Sequence, residues 1–162
     1  MTTIRLAAPL QVDSIVNGEG LRTVIWTQGC RRACPSCHNP KTWNEDGGTV
    51  VEVDEIKKQL KKVKLQSGVT FCGGEPFLQS KPLIEIAKFV HELGMNVWSF
   101  SGYTYEELLK EEDKKELLKH LDVLVDGAFV LAKKDLTLRF RGSSNQRILH
   151  LKNGKIDWIE ND

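Results

Sequence analysis

LRTVIWTQGCRRACPSCHNP, residues 21–40, decides how this chain is read. Leu21 to Gln28 is β-branched and aromatic and stops at Gly29, the pattern of a buried strand running into a tight turn. Three of the four cysteines follow within eight residues, Cys30, Cys34 and Cys37, in a C-x3-C-x2-C run. Pro35 in their midst opposes a regular helix, so the run reads as a loop able to aim three thiolates at one point. Three thiolates bind three irons of a [4Fe–4S] cluster and leave the fourth iron open, since full protein ligation needs four cysteines. A structural zinc site of Cys3His type, with His38, is the competing reading. His38 directly abuts Cys37, closer than the usual spacing of paired zinc ligands.

Outward from this stretch, strand and helix alternate. Ile56, Leu60 and Val63 recur at helical spacing in VDEIKKQLKKVK, which starts acidic and ends basic, as a helix dipole favours. Val69 to Phe71 reads as a short buried strand entering Gly73-Gly74. Ser80 is expected to cap a helix with Leu83, Ile86, Ala87 and Val90 on one face and Gly94 as its stop. Asn96 to Phe100 reads as a strand, Tyr105 to Leu121 as one helix or two, and Val123 to Val125 as another strand. This order predicts an α/β fold with a mostly parallel sheet and helices outside it. RILHLK and KIDWIE flank Asn153-Gly154, the signature of a two-residue hairpin.

The 162 residues suit a single domain, which we read over 1–162, since one core organises about 100–200 residues. Lys plus Arg number 23 and Asp plus Glu 22, a formal charge of +1 that lacks the basic footprint of a nucleic-acid binder. No apolar run reaches the ~18 residues of a membrane helix, and the N-terminus lacks a signal-peptide profile. A cytoplasmic location is expected, where clustered thiols indicate metal or catalysis rather than disulfides.

A second motif, TFCGGEP from Thr70 to Pro76, follows the next strand. Paired glycines let a ligand approach the backbone, and Glu75 adds an acceptor suited to an ammonium group; taken alone, the segment is an ordinary turn. Cys72 reads as a small buried strand-end residue. His91, His120 and His150 read as surface or satisfied packing residues, and the lysines from Lys57 to Lys64 as a solvated helix face.

Together these segments resemble the radical S-adenosylmethionine enzymes, and more narrowly the activating proteins of the anaerobic (class III) ribonucleotide reductase. The resemblance rests on VDSIVNGEGLRT, GCRRACPSCHNPKTW, CGGEP, WSFSGYTYEEL, LVDGAFV and LRFRGSSNQR, and so covers nearly the whole chain. It implies an oxidoreductase in which a [4Fe–4S] cluster binds S-adenosylmethionine through its open iron. Reductive cleavage then gives a 5′-deoxyadenosyl radical that takes hydrogen from a glycine of the reductase. By position it implies Cys30, Cys34 and Cys37 as cluster ligands, with Ser36, Cys37 and His38 beside the cofactor. Gly73, Gly74 and Glu75 would lie at the methionine amino group. Ser99, Ser101, Asp126 and Gly127, at later strand ends, are candidates for ribose and adenine contacts. Many relatives carry an aromatic residue where this chain has Ser36.

The short chain implies an open, partial (β/α) barrel of the radical-SAM type, with one side free for a protein substrate. The implied partners are the reductase and a low-potential electron donor such as flavodoxin or ferredoxin, with no direct nucleic acid or membrane. An activase of another glycyl-radical enzyme, such as pyruvate formate-lyase, would share the core chemistry. From another class, a small electron carrier or a zinc-stabilised interaction module needs neither an open iron nor a GGEP loop. Arg141, Asn145 and Arg147 are candidates either for positioning the partner or for a structural turn.

Overall fold

The computed structural model describes residues 2–30 and 43–160. Strands β1 (Thr3–Leu6), β2 (Gln11–Ser14), β3 (Arg22–Thr27) and β4 (Thr49–Glu52) lead into helix α1 (Val53–Lys62). Then come β5 (Gly68–Gly73), a 3-10 turn (Pro76–Gln79), α2 (Ser80–Glu92) and β6 (Asn96–Phe100). Helices α3 (Tyr105–Leu108) and α4 (Glu112–Leu118) precede β7 (Val123–Asp126), and β8 (Arg147–Lys152) and β9 (Lys155–Ile159) close the described chain. The strands form one sheet in the order β4-β1-β3-β5-β6-β7-β8-β9, with β2 also on β3.

The sheet is mixed, which corrects the expectation of a mostly parallel one. Among the described residues the parallel pairings are β3–β5, β5–β6 and β6–β7; the pairings of β1, β2, β4, β8 and β9 are antiparallel. Parallel neighbours occur where a helix returns the chain to the same end, as α1, α2 and the α3–α4 pair do. β8 and β9 are joined instead by a tight turn, which makes them antiparallel. The expected hairpin is present: Asn153 and Gly154 have φ of +52° and +79°, the left-handed pair that this tight turn demands.

Alternation along the strands sorts side chains onto two faces. Ile25, Val69, Phe71, Val97, Leu124 and Leu149 meet the helices, where Ile56, Leu60, Leu83, Ile86, Ala87 and Val90 are fully or almost fully buried. Trp98, Val123, Val125 and Ile148 form a second cluster on the opposite face, with Phe100 and Phe140 against it. Ser80 is the first residue of α2 rather than its cap. The preceding 3-10 turn takes over that role, and the Ser80 hydroxyl donates back to the Phe77 carbonyl (2.7 Å).

Arg22 opens β3 fully buried, a residue the sequence reading passed over. Its guanidinium donates to Thr70 Oγ1 (2.7 Å) and to the carbonyls of Glu19 (3.0 Å) and Val69 (3.0 Å), and lies 5.4 Å from the Trp98 ring centroid. Burial pushes its pKa down to about 10, so it stays charged at neutral pH. The Asn17–Gly20 loop packs over it, and an added Cβ at Gly18 would meet Arg22 Cδ at 2.9 Å. Arg22→Met strips these acceptors of their donor, so a loss of about 2–4 kcal/mol in urea unfolding is expected. A midpoint equal to that of the unsubstituted protein would show that the buried cation is dispensable.

Candidate cluster and cofactor site

Strand β3 delivers Cys30 to the carboxyl end of the parallel strands, where α/β folds place their sites. Gly29, with φ +108°, makes the turn, and half-buried Cys30 donates its backbone N–H to the Trp43 carbonyl (3.0 Å). Residues 30 and 43 are thereby bridged, anchoring both ends of the cysteine segment at one point. Cys34, Ser36, Cys37 and His38 lie outside the described residues. Among the described residues no group of three His, Cys, Asp or Glu side chains could hold a metal.

The GGEP turn packs directly against this point. Glu75 N donates to the Gly29 carbonyl (2.6 Å) and Gly74 N to that of Thr27 (3.2 Å). Gly73 has φ +147°, and a Cβ there would sit 2.2 Å from the Thr27 carbonyl oxygen. Glycine at this position therefore serves the close approach of β5 to β3. The Glu75 side chain is fully buried. It accepts from Phe77 N (3.1 Å), Ser101 Oγ (2.9 Å) and Gly102 N (2.7 Å), bonds to this chain's own loops that sequence could not reveal.

The later candidates are equally engaged. Ser99 is fully buried and by alternation shares the helix-facing side with Val97; its hydroxyl donates to the Phe100 carbonyl (3.2 Å). Asp126 accepts from Tyr105 N (2.7 Å), from Arg147 Nε (3.0 Å) and from Arg147 Nη2 (2.5 Å). That hydrogen-bonded carboxylate raises the Arg147 pKa above its ordinary value, and Arg147 in turn lowers that of Glu106. Asn145 and Gln146 donate to the Ala128 (2.8 Å) and Gly127 (2.9 Å) carbonyls. The tail candidates Asn145 and Arg147 thus hold the loop after β7, and Arg141 Nη1 donates within its own turn to the Gln146 carbonyl (3.3 Å).

Two observations bear on whether this point suits an iron–sulfur group. Cys30, a soft sulfur donor, is tied through its backbone to Trp43, whose buried indole Nε1 has no hydrogen-bond partner among the described residues. Buried unpaired donors are rare, and hydrogen bonds to sulfur are a standard part of such sites. Cys72 is different in kind. It is 5% exposed on the face opposite the helices, accepts from Asn17 Nδ2 (3.6 Å), and burial pushes its thiol up to about 12. It remains a neutral packing thiol, whereas Cys30, the described sulfur donor at the end of β3, is of the type an iron–sulfur group takes.

The profile of the 4Fe-4S single cluster domain family matches residues 16–149. The anaerobic ribonucleoside-triphosphate reductase-activating protein of Pasteurella multocida (strain Pm70) is 36% identical, over 83% of this chain and 90% of its own length. The protein of that name in Escherichia coli (strain K12) is 35% identical, over 85% and 94%. The pyruvate formate-lyase-activating enzyme of Clostridium pasteurianum is 42% identical, but over 67% of this chain and 50% of itself. In fold, the chain is similar to QueE from Escherichia coli, with a TM-score of 0.50 and 15% identity over 63% of this chain and 54% of that one. Near-complete coverage on both sides distinguishes the first two matches from the third. The chain belongs to the family of anaerobic ribonucleoside-triphosphate reductase-activating proteins, built on a 4Fe-4S single cluster domain.

Proposed function

We propose that this chain, read as one domain, is a radical S-adenosylmethionine activase that places a glycyl radical on the anaerobic ribonucleotide reductase. The observation that carries the reading is the junction of the two motif loops, where Glu75 N donates to the Gly29 carbonyl beside Cys30 (2.6 Å). Cys30, Cys34 and Cys37 would hold the [4Fe–4S] cluster. When bound, the cluster and S-adenosylmethionine supply the electron and the 5′-deoxyadenosyl radical that abstracts hydrogen from the partner's glycine.

The rest is positioning by this chain. Ser36, Cys37 and His38 border the cofactor, and the turn of Gly73, Gly74 and Glu75 borders its amino group. Ser99 and Asp126 hold the strand ends where ribose and adenine would lie. The sheet is proposed to curve as an open partial barrel that admits a protein segment. Flavodoxin or ferredoxin is proposed as reductant and the cytoplasm as the compartment. Among the described residues no helix is long and apolar enough to cross a membrane.

The test mixes the reduced protein and S-adenosylmethionine with an anaerobic ribonucleotide reductase carrying deuterated glycine. Deuterium is expected in 5′-deoxyadenosine, and a glycyl EPR signal on the reductase. Activation of pyruvate formate-lyase alone would leave the chemistry and reject the partner. No label transfer with either protein would reject the reading.

A further inference from the structure

The helices pack on one face of the sheet, and two loops fold over the other. The loop 15–20 crosses that face through Asn17, whose carbonyl accepts from Thr70 Oγ1 (2.7 Å) and whose Nδ2 donates to Cys72 Sγ (3.6 Å). The loop 134–143 is closed at its base by the antiparallel bridge of Lys134 and Ser143 and by Asp135 N on the Gly142 carbonyl (3.2 Å). It is pinned to the sheet where Phe140 meets the Trp98 ring edge-on, with centroids 5.4 Å apart. Between the loops lies a cavity of about 490 Å³ whose apolar lining is Val16, Phe100, Phe129, Leu136, Leu138 and Phe140. Phe100 ends β6 and Phe129 lies just past β7, so the cavity sits at the carboxyl end of the parallel strands, the end that carries Cys30.

Its rims are wet. Leu136 is 85% exposed and Val16 69% exposed, each on a loop that the bonds above hold in place. Aliphatic residues left in water around one cavity mark an interaction site, whereas singly scattered ones carry no such meaning. The segment 131–142 also holds four basic residues, Lys133, Lys134, Arg139 and Arg141, against one acidic residue, Asp135. Arg139 is paired with Glu160, while Lys133 and Lys134 stand exposed. The complementary occupant is apolar at the point of contact and acidic around it. Hydrogen transfer needs the reacting atoms held in contact, so a protein substrate requires a firm anchor at this end of the sheet. An electron donor needs only a brief approach, and such encounters use small, weak interfaces.

We infer that Val16 and Leu136 grip an apolar side chain of the reductase, beside carboxylates that meet Lys133 and Lys134, and so determine which protein this chain activates. The inference rests on the proposed activase function and names the surface that selects its protein substrate.

The experiment titrates the cluster-loaded protein, and its variants, with anaerobic ribonucleotide reductase. Leu136→Asp and Val16→Asp should each weaken binding at least about tenfold, the scale of losing an anchoring contact. Reversal of both charges, Lys133→Glu with Lys134→Glu, should weaken it more at low salt than at high. Leu65, 91% exposed in the turn before β5 at the other end of the strands, is the matched control, and Leu65→Asp should leave the affinity within about twofold. Leu136→Met should do the same, because it keeps an apolar side chain of similar size. Iron content reports the integrity of each variant, and Leu136→Asp alone decides if Val16→Asp loses iron. Unchanged affinity in Leu136→Asp or in the charge reversal, or equal weakening by Leu65→Asp, would overturn the inference. Loss of flavodoxin binding or of self-association in Leu136→Asp, with reductase affinity intact, would give the cavity to another occupant and overturn it as well. An unsubstituted protein that neither binds the reductase nor forms its glycyl radical would instead reject the proposed function, and the inference with it.

Discussion

Alanine in place of Cys30, Cys34 or Cys37 is expected to bring S-adenosylmethionine cleavage to background, each change alone, while Cys72→Ala retains the cluster and most activity. The contrast follows from where the sulfurs stand. Cys30 follows β3 at the mouth of the parallel strands, with its loop closed by the bond from its N–H to the Trp43 carbonyl (3.0 Å). A cluster held by three thiolates has no spare protein ligand, so removing any one leaves a second iron unsupported. Cys72 sits 5% exposed between β-strand neighbours, with a thiol pushed up to about 12, and contributes packing. Its truncation should cost about 1 kcal/mol of stability. Iron and sulfide analysis under anaerobic conditions reads the outcome directly. Cluster loss in Cys72→Ala together with survival in Cys37→Ala would reverse the ligand assignment.

Local signals carried the centre of the fold into view. Helix α1 shows its buried stripe at Ile56 and Leu60, and β6 spans the Asn96–Phe100 segment that its β-branched and aromatic residues mark. The outer strands were less legible because they are short and partly wet. β2 and β4 have four residues each, most of them exposed, so no alternation announces them, and their pairing with β3 and β1 is set by tertiary contacts. The same divide holds at the site. Glycines after a strand are visible in sequence, but the Ser101 and Gly102 groups that bond Glu75, and the Arg147 that bonds Asp126, lie more than twenty residues away in the chain. Arg22 was hidden for a related reason: charge signals exposure, and only the fold shows carbonyls and a hydroxyl gathered around it.

The two glycines of GGEP should separate by what they lose. Gly73 lies opposite Thr27 in the parallel register, with φ +147°, and a Cβ there would be 2.2 Å from the Thr27 carbonyl and 2.5 Å from Thr27 Oγ1. Both atoms belong to a buried strand residue that cannot swing aside, so Gly73→Ala must push β5 from β3 or twist the turn. A loss of roughly 3 kcal/mol in unfolding free energy is expected, with weakened cofactor binding as a consequence. Gly74 is outside the left-handed backbone region and half-buried, so valine meets no comparable conformational barrier. Gly74→Val should keep stability within about 1 kcal/mol and iron at its normal level, because its side chain enters space proposed for the methionine end of the cofactor. S-adenosylmethionine binding should fall by at least about a hundredfold, the scale of a blocked pocket worth some 3 kcal/mol. Calorimetric titration on the cluster-loaded protein, beside urea unfolding of both variants, distinguishes the cases. Unchanged affinity in Gly74→Val would move the cofactor away from this turn, and unchanged stability in Gly73→Ala would show that the close approach of β5 to β3 imposes no demand for glycine.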